Sequence, residues 1–360
     1  MNGFKLRLEP RSSASTVLLL GVPILSSLAA LLLALVLLGV TDAPLARAVP
    51  LLLEGAAGST FALSETLTRA TPLILTGLAA AVAFRARLWN IGAEGQLYAG
   101  ALAAVAVGGT WDLPGYLLVP LIVAAGAAAG AALLLGPVLL KTRLSVDEVV
   151  TTLLINFVML LFVQMMLEGP MKDPMGLGWP QSVPILDAGM LGRLLPPTRL
   201  HGGLVVAVIA AAVVYVIERH TPVGLEMRAV GGNAAAAGFA GISVPRTLAL
   251  TGLMSGALAG LAGVGEVAGL KGYLTSDLSP GFGYAGIVVA MLAMLNPLAV
   301  LPAAIFIAGV FVGADSMSRT LGVSSYFADL VVALALMSTL VGSLFLRYRV
   351  RFVQGQTLRV

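Results

Sequence analysis

The chain has 360 residues, of which 59% are hydrophobic and only 11% charged, and its formal net charge is +4. Soluble domains carry about 25% charged residues, so this composition is that of a membrane protein. Without cysteine there is neither a disulfide framework nor a thiolate site, two isolated histidines argue against zinc, and the arginines lie scattered between apolar segments, so neither a metal nor a nucleic-acid partner is expected.

Lys5, Arg7 and Arg11 precede a weakly polar-to-apolar run from Val17 to Val40. A signal peptide shares this polarity, and Ala46-Arg47-Ala48 imitates a cleavage site, but a signal peptide's apolar core is roughly 7–15 residues long. The longer run predicts a retained first transmembrane helix over 17–40. A crossing takes roughly 20 apolar residues, fewer where a helix is broken or re-entrant. On that rule the sequence predicts an all-α polytopic bundle, one transmembrane domain over 1–360 with about ten segments. They lie near 17–40, 71–85, 93–110, 115–140, 149–167, 202–217, 247–268, 284–296, 298–315 and 328–346.

Lysine and arginine placement tests this drawing, because short cytoplasmic loops hold the excess. With both termini inside, the inner side collects fourteen of the twenty-one basic residues, among them Lys5, Arg7, Arg11, Arg85, Arg87, Lys141, Arg143, Arg219, Arg228, Arg246 and Arg347. Multi-pass insertion in a cell membrane, in contact with lipid and with both ends cytoplasmic, follows as the expectation.

The first outer segment, 41–70, places Leu51, Leu52, Phe61, Leu63 and Leu67 around Glu54, Glu65 and Arg69. The pattern suggests a helix lying along the surface; an ordinary loop is the alternative. Next comes Leu88 to Gly100, where Asn90, Glu94 and Gln96 stand among glycines in otherwise apolar sequence. After Lys141-Thr142-Arg143, Ser145 and Glu148 have the spacing of a capping box. Asn156 follows inside a spanning segment, where a polar amide belongs on the bundle interior. The second outer segment, 168–200, is rich in proline and carries Trp179 for the headgroup level, and its length marks it as functional or disordered.

The inner loop 218–246 opens on Thr221-Pro222, an N-cap followed by proline at the first helical position. Gly231-Gly232 ends that helix, Asn233 starts another through Ala234, Ala235, Ala236 and Ala237, and Gly241 closes it ahead of Pro245. Two short helices joined by glycine form a small exposed knuckle suited to a covering protein; a plain connection is the alternative. The second half, 247–346, then echoes the first, 71–167. Segment 247–268 is rich in small residues and reaches Glu266, and Gly269, Gly272, Gly281, Gly283 and Gly286 break the chain before a short segment, as glycines do around 71–100. Paired interruptions of this kind mark the translocation pathway in transporters built from inverted repeats.

Three ways of driving a solute remain. An intrinsic ATPase needs a glycine-rich loop ending in Gly-Lys-Ser/Thr, and none of Lys5, Lys141, Lys172 and Lys271 follows a glycine. An ion-coupled carrier holds several intramembrane ionisable groups, whereas only Glu94 and Glu266 qualify, with Glu54 and Asp329 nearer the edge. A non-catalytic membrane subunit worked by a separate ATPase fits the knuckle. Asn90, Glu94, Gln96, Asn156 and Glu266 are the pathway candidates, with the competing reading that Glu94 and Gln96 only satisfy backbone groups freed at Gly92 and Gly95. Trp89 and Phe282 are either stacking platforms for a ring or interface anchors.

Thr71-Pro72-Leu73-Ile74-Leu75-Thr76-Gly77 with Asn90-Ile91-Gly92-Ala93-Glu94-Gly95-Gln96, then Val146-Asp147-Glu148-Val149-Val150-Thr151-Thr152 to Asn156, then Arg228-Ala229-Val230-Gly231-Gly232-Asn233 to Gly241-Ile242, and Ser279-Pro280-Gly281-Phe282-Gly283-Tyr284 occur in that order. Together they resemble bacterial ABC importer permeases of the branched-chain amino acid and simple-sugar class, nucleoside and simple-sugar branch. The resemblance implies a type II importer permease fold, a nucleoside or simple sugar as substrate, and a coupling helix in the loop matching 228–242. It also implies three partners: an ATPase subunit that uses ATP and Mg, a second permease, often a paralogue giving a heterodimer, and a solute-binding lipoprotein. No cofactor is bound by the chain itself. Gly238-Phe239 departs from the family, where a more polar residue follows the alanines. A stand-alone secondary transporter or a membrane scaffold is the alternative.

Overall fold

The computed structural model describes residues 4–11, scattered positions between 15 and 39, and 45–354 except 323. The chain divides into two compact units, Met1–Gly55 with Gly313–Val360, and Ala56–Val312.

In the first unit, residues that alternate between apolar and charged with the period of a strand form β1 (Phe4–Pro10) and β2 (Tyr348–Gln354). They pair antiparallel, Phe4 opposite Gln354 and Pro10 opposite Tyr348. The sequence reading took these residues only as charge flanking helices, so this short ladder is an addition to the expected all-α bundle. The expected helix 17–40 falls largely outside the described residues; 21–22, 25–26, 28–30 and 32–33 within it are helical. α1 (Leu45–Ala57) packs by its C-terminal turn, where a Cβ on Gly55 would overlap Ser316.

The second unit is a helix bundle built around α2 (Thr60–Arg85). Its most apolar window is 89% buried, against 22–28% for α4 (Gly115–Leu144), α5 (Glu148–Glu168) and α6 (Gly203–His220). α2 starts eleven residues earlier than the expected 71, because Ser59 caps it by accepting from Ala62 N at 3.0 Å. Residues 60–70 therefore belong to a spanning-length helix, and only α1 is left as a separate helix in the stretch 41–70. α3 (Ala93–Gly108) packs against α9 (Val244–Val264), which runs on into a π-helical turn, Gly265–Lys271, and against α10 (Phe282–Leu292). The small residues of α9 let backbones touch: a Cβ on Gly260 would overlap the Gly126 carbonyl of α4, and one on Gly263 the Leu97 carbonyl of α3. The knuckle is α7 (Pro222–Gly232) and α8 (Ala234–Phe239). α11 (Pro297–Leu321) follows α10, and α12 (Ser325–Arg347) belongs to the first unit and leads into β2.

Among the described residues, seven helices are long and apolar enough to cross a membrane. The ten expected segments included α3 and α10, which at 16 and 11 residues reach about 24 and 16 Å, short of the roughly 30 Å of hydrocarbon. The capping box at Ser145 is not formed. Ser145 ends α4 in left-handed conformation (φ 54°), and Asp147 caps α5, accepting from Val149 N at 2.7 Å and Val150 N at 3.2 Å. A three-residue reversal between antiparallel helices demands the left-handed residue, and Glu148 is taken by Lys141. Residues 168–200 are an ordered strap instead of a disordered one. It is bridged at Lys172–Ser182 and Arg193–His201 and stitched to the end of the π-turn by Ile185 N to Gly272 O at 2.8 Å and Leu191 N to Ala268 O at 2.7 Å.

Candidate functional site

The chain leaves α2 at Arg85 and turns back into the bundle before α3 begins. Its depth can be measured along α5. Trp89 N lies 3.4 Å from the Glu148 carboxylate at the start of α5, whereas Asn156, eight residues and about 12 Å further in, accepts from Gly95 N at 2.8 Å and donates to Ile91 O at 2.9 Å. α3 thus starts well inside the bundle. The chain from Gly272 to Gly281 also re-enters, and α10 starts beside α3: Gly283 N donates to Glu94 Oε2 at 2.6 Å, and a Cβ on Gly283 would overlap the Glu94 backbone.

Two helix N-termini therefore meet in the interior. Each carries about half a positive charge from its aligned peptide dipoles, so they repel unless an anion lies between them. Glu94, in the first turn of α3 and capping α10, places its carboxyl group between them.

Around this junction every polar side chain is engaged. Asn90 makes four hydrogen bonds: its amide nitrogen donates to Gln96 Oε1 and Ser255 Oγ, each at 2.9 Å, and its oxygen accepts from Gly92 N and Gln96 Nε2, each at 2.9 Å. Ser255 passes its own proton to the Ala79 carbonyl at 2.7 Å. Asn156 Nδ2 also donates to the Tyr284 hydroxyl at 3.1 Å. Tyr98, one turn beyond Glu94, donates to Ser276 O at 2.8 Å and accepts from Ser279 N at 3.2 Å, holding the re-entrant stretch in place. Asn90, Gln96 and Asn156 are fully buried within the chain.

Four of the five pathway candidates, Asn90, Glu94, Gln96 and Asn156, are thus one cluster, and each satisfies backbone or side-chain groups freed by the helix break. Glu266 stands apart, buried in the π-turn, where the charges acting on it come from Arg69 and Lys271. π-turns interrupt helices most often at functional positions. Phe282 does not present its ring to any solute: it is 2% exposed and packs on Phe311 at 6.2 Å. Trp89 is half-exposed and lies against Phe84 at 4.8 Å.

At the knuckle the expected caps form. Thr221 accepts from Gly224 N at 3.4 Å, Asn233 from Ala236 N at 3.1 Å, and Gly241 takes φ 89°. Gly232, Asn233, Ala234, Ala235 and Ala236 are exposed, whereas Gly231 is buried against the Arg85 carbonyl and Arg228 donates to the Glu218 carbonyl. The sequence reading saw little apolar surface here and noted Phe239 only as a departure from the family; it is 97% exposed. His201 was missed. It lies just ahead of α6 with Nδ1 accepting from Gly203 N at 3.1 Å and Nε2 buried without a partner, and burial pushes its imidazole down to about 4.

Comparison with known proteins agrees on one lineage. Residues 62–349 match the family described as branched-chain amino acid transport system, permease component. The glucose ABC transporter permease protein TsgB13 of Haloferax volcanii is 36% identical over 356 residues, 96% of this chain and 93% of that protein. The guanosine ABC transporter permease protein NupP of Bacillus subtilis is 35% identical over 93% of this chain and 95% of its own length. The nucleoside ABC transporter permease protein NupB of Lactococcus lactis is 33% identical over 73% and 75%.

Proposed function

We propose, for a chain that belongs to the branched-chain amino acid transport system permease family, that its cargo is a neutral, hydroxyl-rich solute, a nucleoside or simple sugar. The chain is a multi-pass membrane protein and a permease subunit of an ATP-binding cassette importer. An ATPase and a solute-binding protein are the partners such a permease implies.

The observation that carries the solute class is Glu94. Half-helix N-termini inside a transporter are where the anionic group of a solute binds, and here the chain fills that position with its own carboxylate. A phosphorylated or carboxylate-bearing solute would meet that charge, whereas a neutral ring with hydroxyls would not. The names of the glucose, guanosine and nucleoside relatives support the same reading. Because Asn90, Gln96 and Asn156 are saturated within the chain, their part in the pathway is to hold the two half-helices at the right separation.

In this reading the knuckle docks on the ATPase, which binds ATP and Mg, with α8 as coupling helix and Phe239 as its apolar anchor. Supporting it are the absence of a nucleotide loop in the sequence and the bare face of α8. A second permease, a paralogue, and a solute-binding lipoprotein complete the transporter. The pairing of β1 with β2 supports both strands lying on one side, and the arginine distribution supports reading that side as the cytoplasm of a bacterial inner membrane. Segments 71–167 and 247–346 are read as the inverted repeats and 218–246 as the coupling loop of a single permease domain.

Uptake competition in proteoliposomes holding the complete transporter tests the cargo. Nucleosides or free sugars are expected to compete and their phosphates not to; competition by the phosphates would refute the solute class. In the same preparation, the chain without its ATPase is expected to accumulate nothing against a gradient.

A further inference from the structure

Three charged side chains and an unusual piece of backbone meet where α2, α6 and α10 end. Arg85, the last residue of α2, donates through Nη2 to the main-chain carbonyl of Leu295 and lies 3.2 Å from Glu218 Oε2 near the end of α6. Arg228 of α7 donates through Nη1 to the main-chain carbonyl of the same Glu218. One turn later, Gly231 passes so close to the Arg85 carbonyl that any Cβ would overlap it. The knuckle therefore bears on Arg85 twice, once directly and once through Glu218.

Leu295 sits in the link between α10 and α11, where Met294 and Leu295 have φ of 51° and 60°. No other two consecutive non-glycine residues among those described share positive φ. A residue with a Cβ disfavours that conformation, and strain of this sort persists only where the surroundings enforce it. Leu295 N bonds Ala290 O at 2.9 Å and Asn296 N bonds Ala293 O at 3.0 Å, but the Leu295 carbonyl is held by Arg85 alone among the side chains. The cluster also keeps unused capacity: Arg85 Nε and Glu218 Oε1 are buried without a partner, one unused donor and one unused acceptor.

We propose that Arg85 is a positioning residue that ties the knuckle to α10. Displacement of α7 moves Arg85 through Gly231 and Glu218, its hold on the Leu295 carbonyl is exchanged for the spare Glu218 oxygen, and the Met294–Leu295 link relaxes. α10 then shifts at its opposite end, where Gly283 meets Glu94. This rests on the knuckle being the ATPase docking site.

The test is solute taken up per ATP hydrolysed by the complete transporter in proteoliposomes. Arg85→Gln is expected to keep ATPase capture and hydrolysis within about twofold while uptake per ATP falls about tenfold or more, the effect of losing a charge-assisted hydrogen bond. Leu295→Gly added to Arg85→Gln is expected to leave uptake per ATP low, because glycine holds positive φ without a clamp but leaves the knuckle untied from α10. An unchanged ratio in Arg85→Gln, or recovery on adding Leu295→Gly, overturns the proposal. If Arg85→Gln does not assemble, Leu295→Gly alone decides: a raised melting temperature is expected, and no rise means the link is unstrained and the proposal is wrong. Failure of the unsubstituted chain to capture the ATPase would instead overturn the docking site.

Discussion

The junction of α3 with α10 and the cluster where α2, α6 and α10 end both bury polar groups, but they satisfy them differently. Asn90 uses all four of its amide hydrogen bonds, Gln96 and Ser255 close the same circuit, and Asn156 beside it pairs with Gly95 N and Ile91 O. Arg85 and Glu218 leave a donor and an acceptor unused. A saturated network has one low-energy arrangement, since moving any member strands another in a medium that cannot replace the bond. An unsaturated one can change partners at small cost. The Asn90 circuit therefore holds the start of α3 against α9 in one arrangement, while the Arg85 cluster is the one able to move.

The sharpest way to break this contrast is at the junction itself. Gly263→Val would drive a side chain into the Leu97 carbonyl; a loss above about 3 kcal/mol is expected, read as loss of monodisperse protein in detergent. Acid comes next. His201 is neutral in the folded chain and its imidazole is held at about 4, down from 6.5. A depressed folded value means its contribution is complete above pH 6.5 and lost as pH falls toward 4. About 3 kcal/mol should disappear over that window, and His201→Asn should flatten the melting temperature across it.

Asn90→Ala removes a partner from Gln96, Ser255 and Gly92 together, and about 2–3 kcal/mol is expected by thermal unfolding. Glu94→Gln keeps an acceptor for Gly283 and should melt near the unsubstituted chain, yet it removes the charge between two helix dipoles, so competition by phosphorylated solutes should rise. If both uptake and competition are unchanged, Glu94 has no role in the pathway. Asp147→Ala, a helix cap outside both regions, should cost about 1 kcal/mol. Phe239→Ala should have the smallest effect on stability, within about 0.5 kcal/mol, while ATPase capture falls about tenfold or more, as for an apolar anchor at an interface centre.

The spanning helices and the knuckle were legible because apolar length and cap residues are local signals: Thr221, Pro222, Asn233 and Gly241 each do what their position indicates. The membrane cluster was legible only in part. Asn90, Glu94, Gln96 and Asn156 stood out as polar letters in apolar runs, but Glu94 meets Gly283 across 189 residues of chain, and nothing local names that partner. The cluster at Arg85 was hidden for the same reason. Its glutamate closes an ordinary apolar helix, and its most telling contact is to a main-chain carbonyl, which has no letter of its own. The reversal at Ser145 shows the opposite failure, a local motif overruled by the tight turn around it. Strand pairing at the chain ends escaped notice because seven alternating residues beside a helix read equally well as a charged flank.

That ladder makes residues 4–10 and 348–354 neighbours, with Phe4 facing Gln354 about 5 Å away. Dyes attached at Phe4 and Gln354 would lie within energy-transfer range, so their signal reports whether the clasp between the two strands is closed.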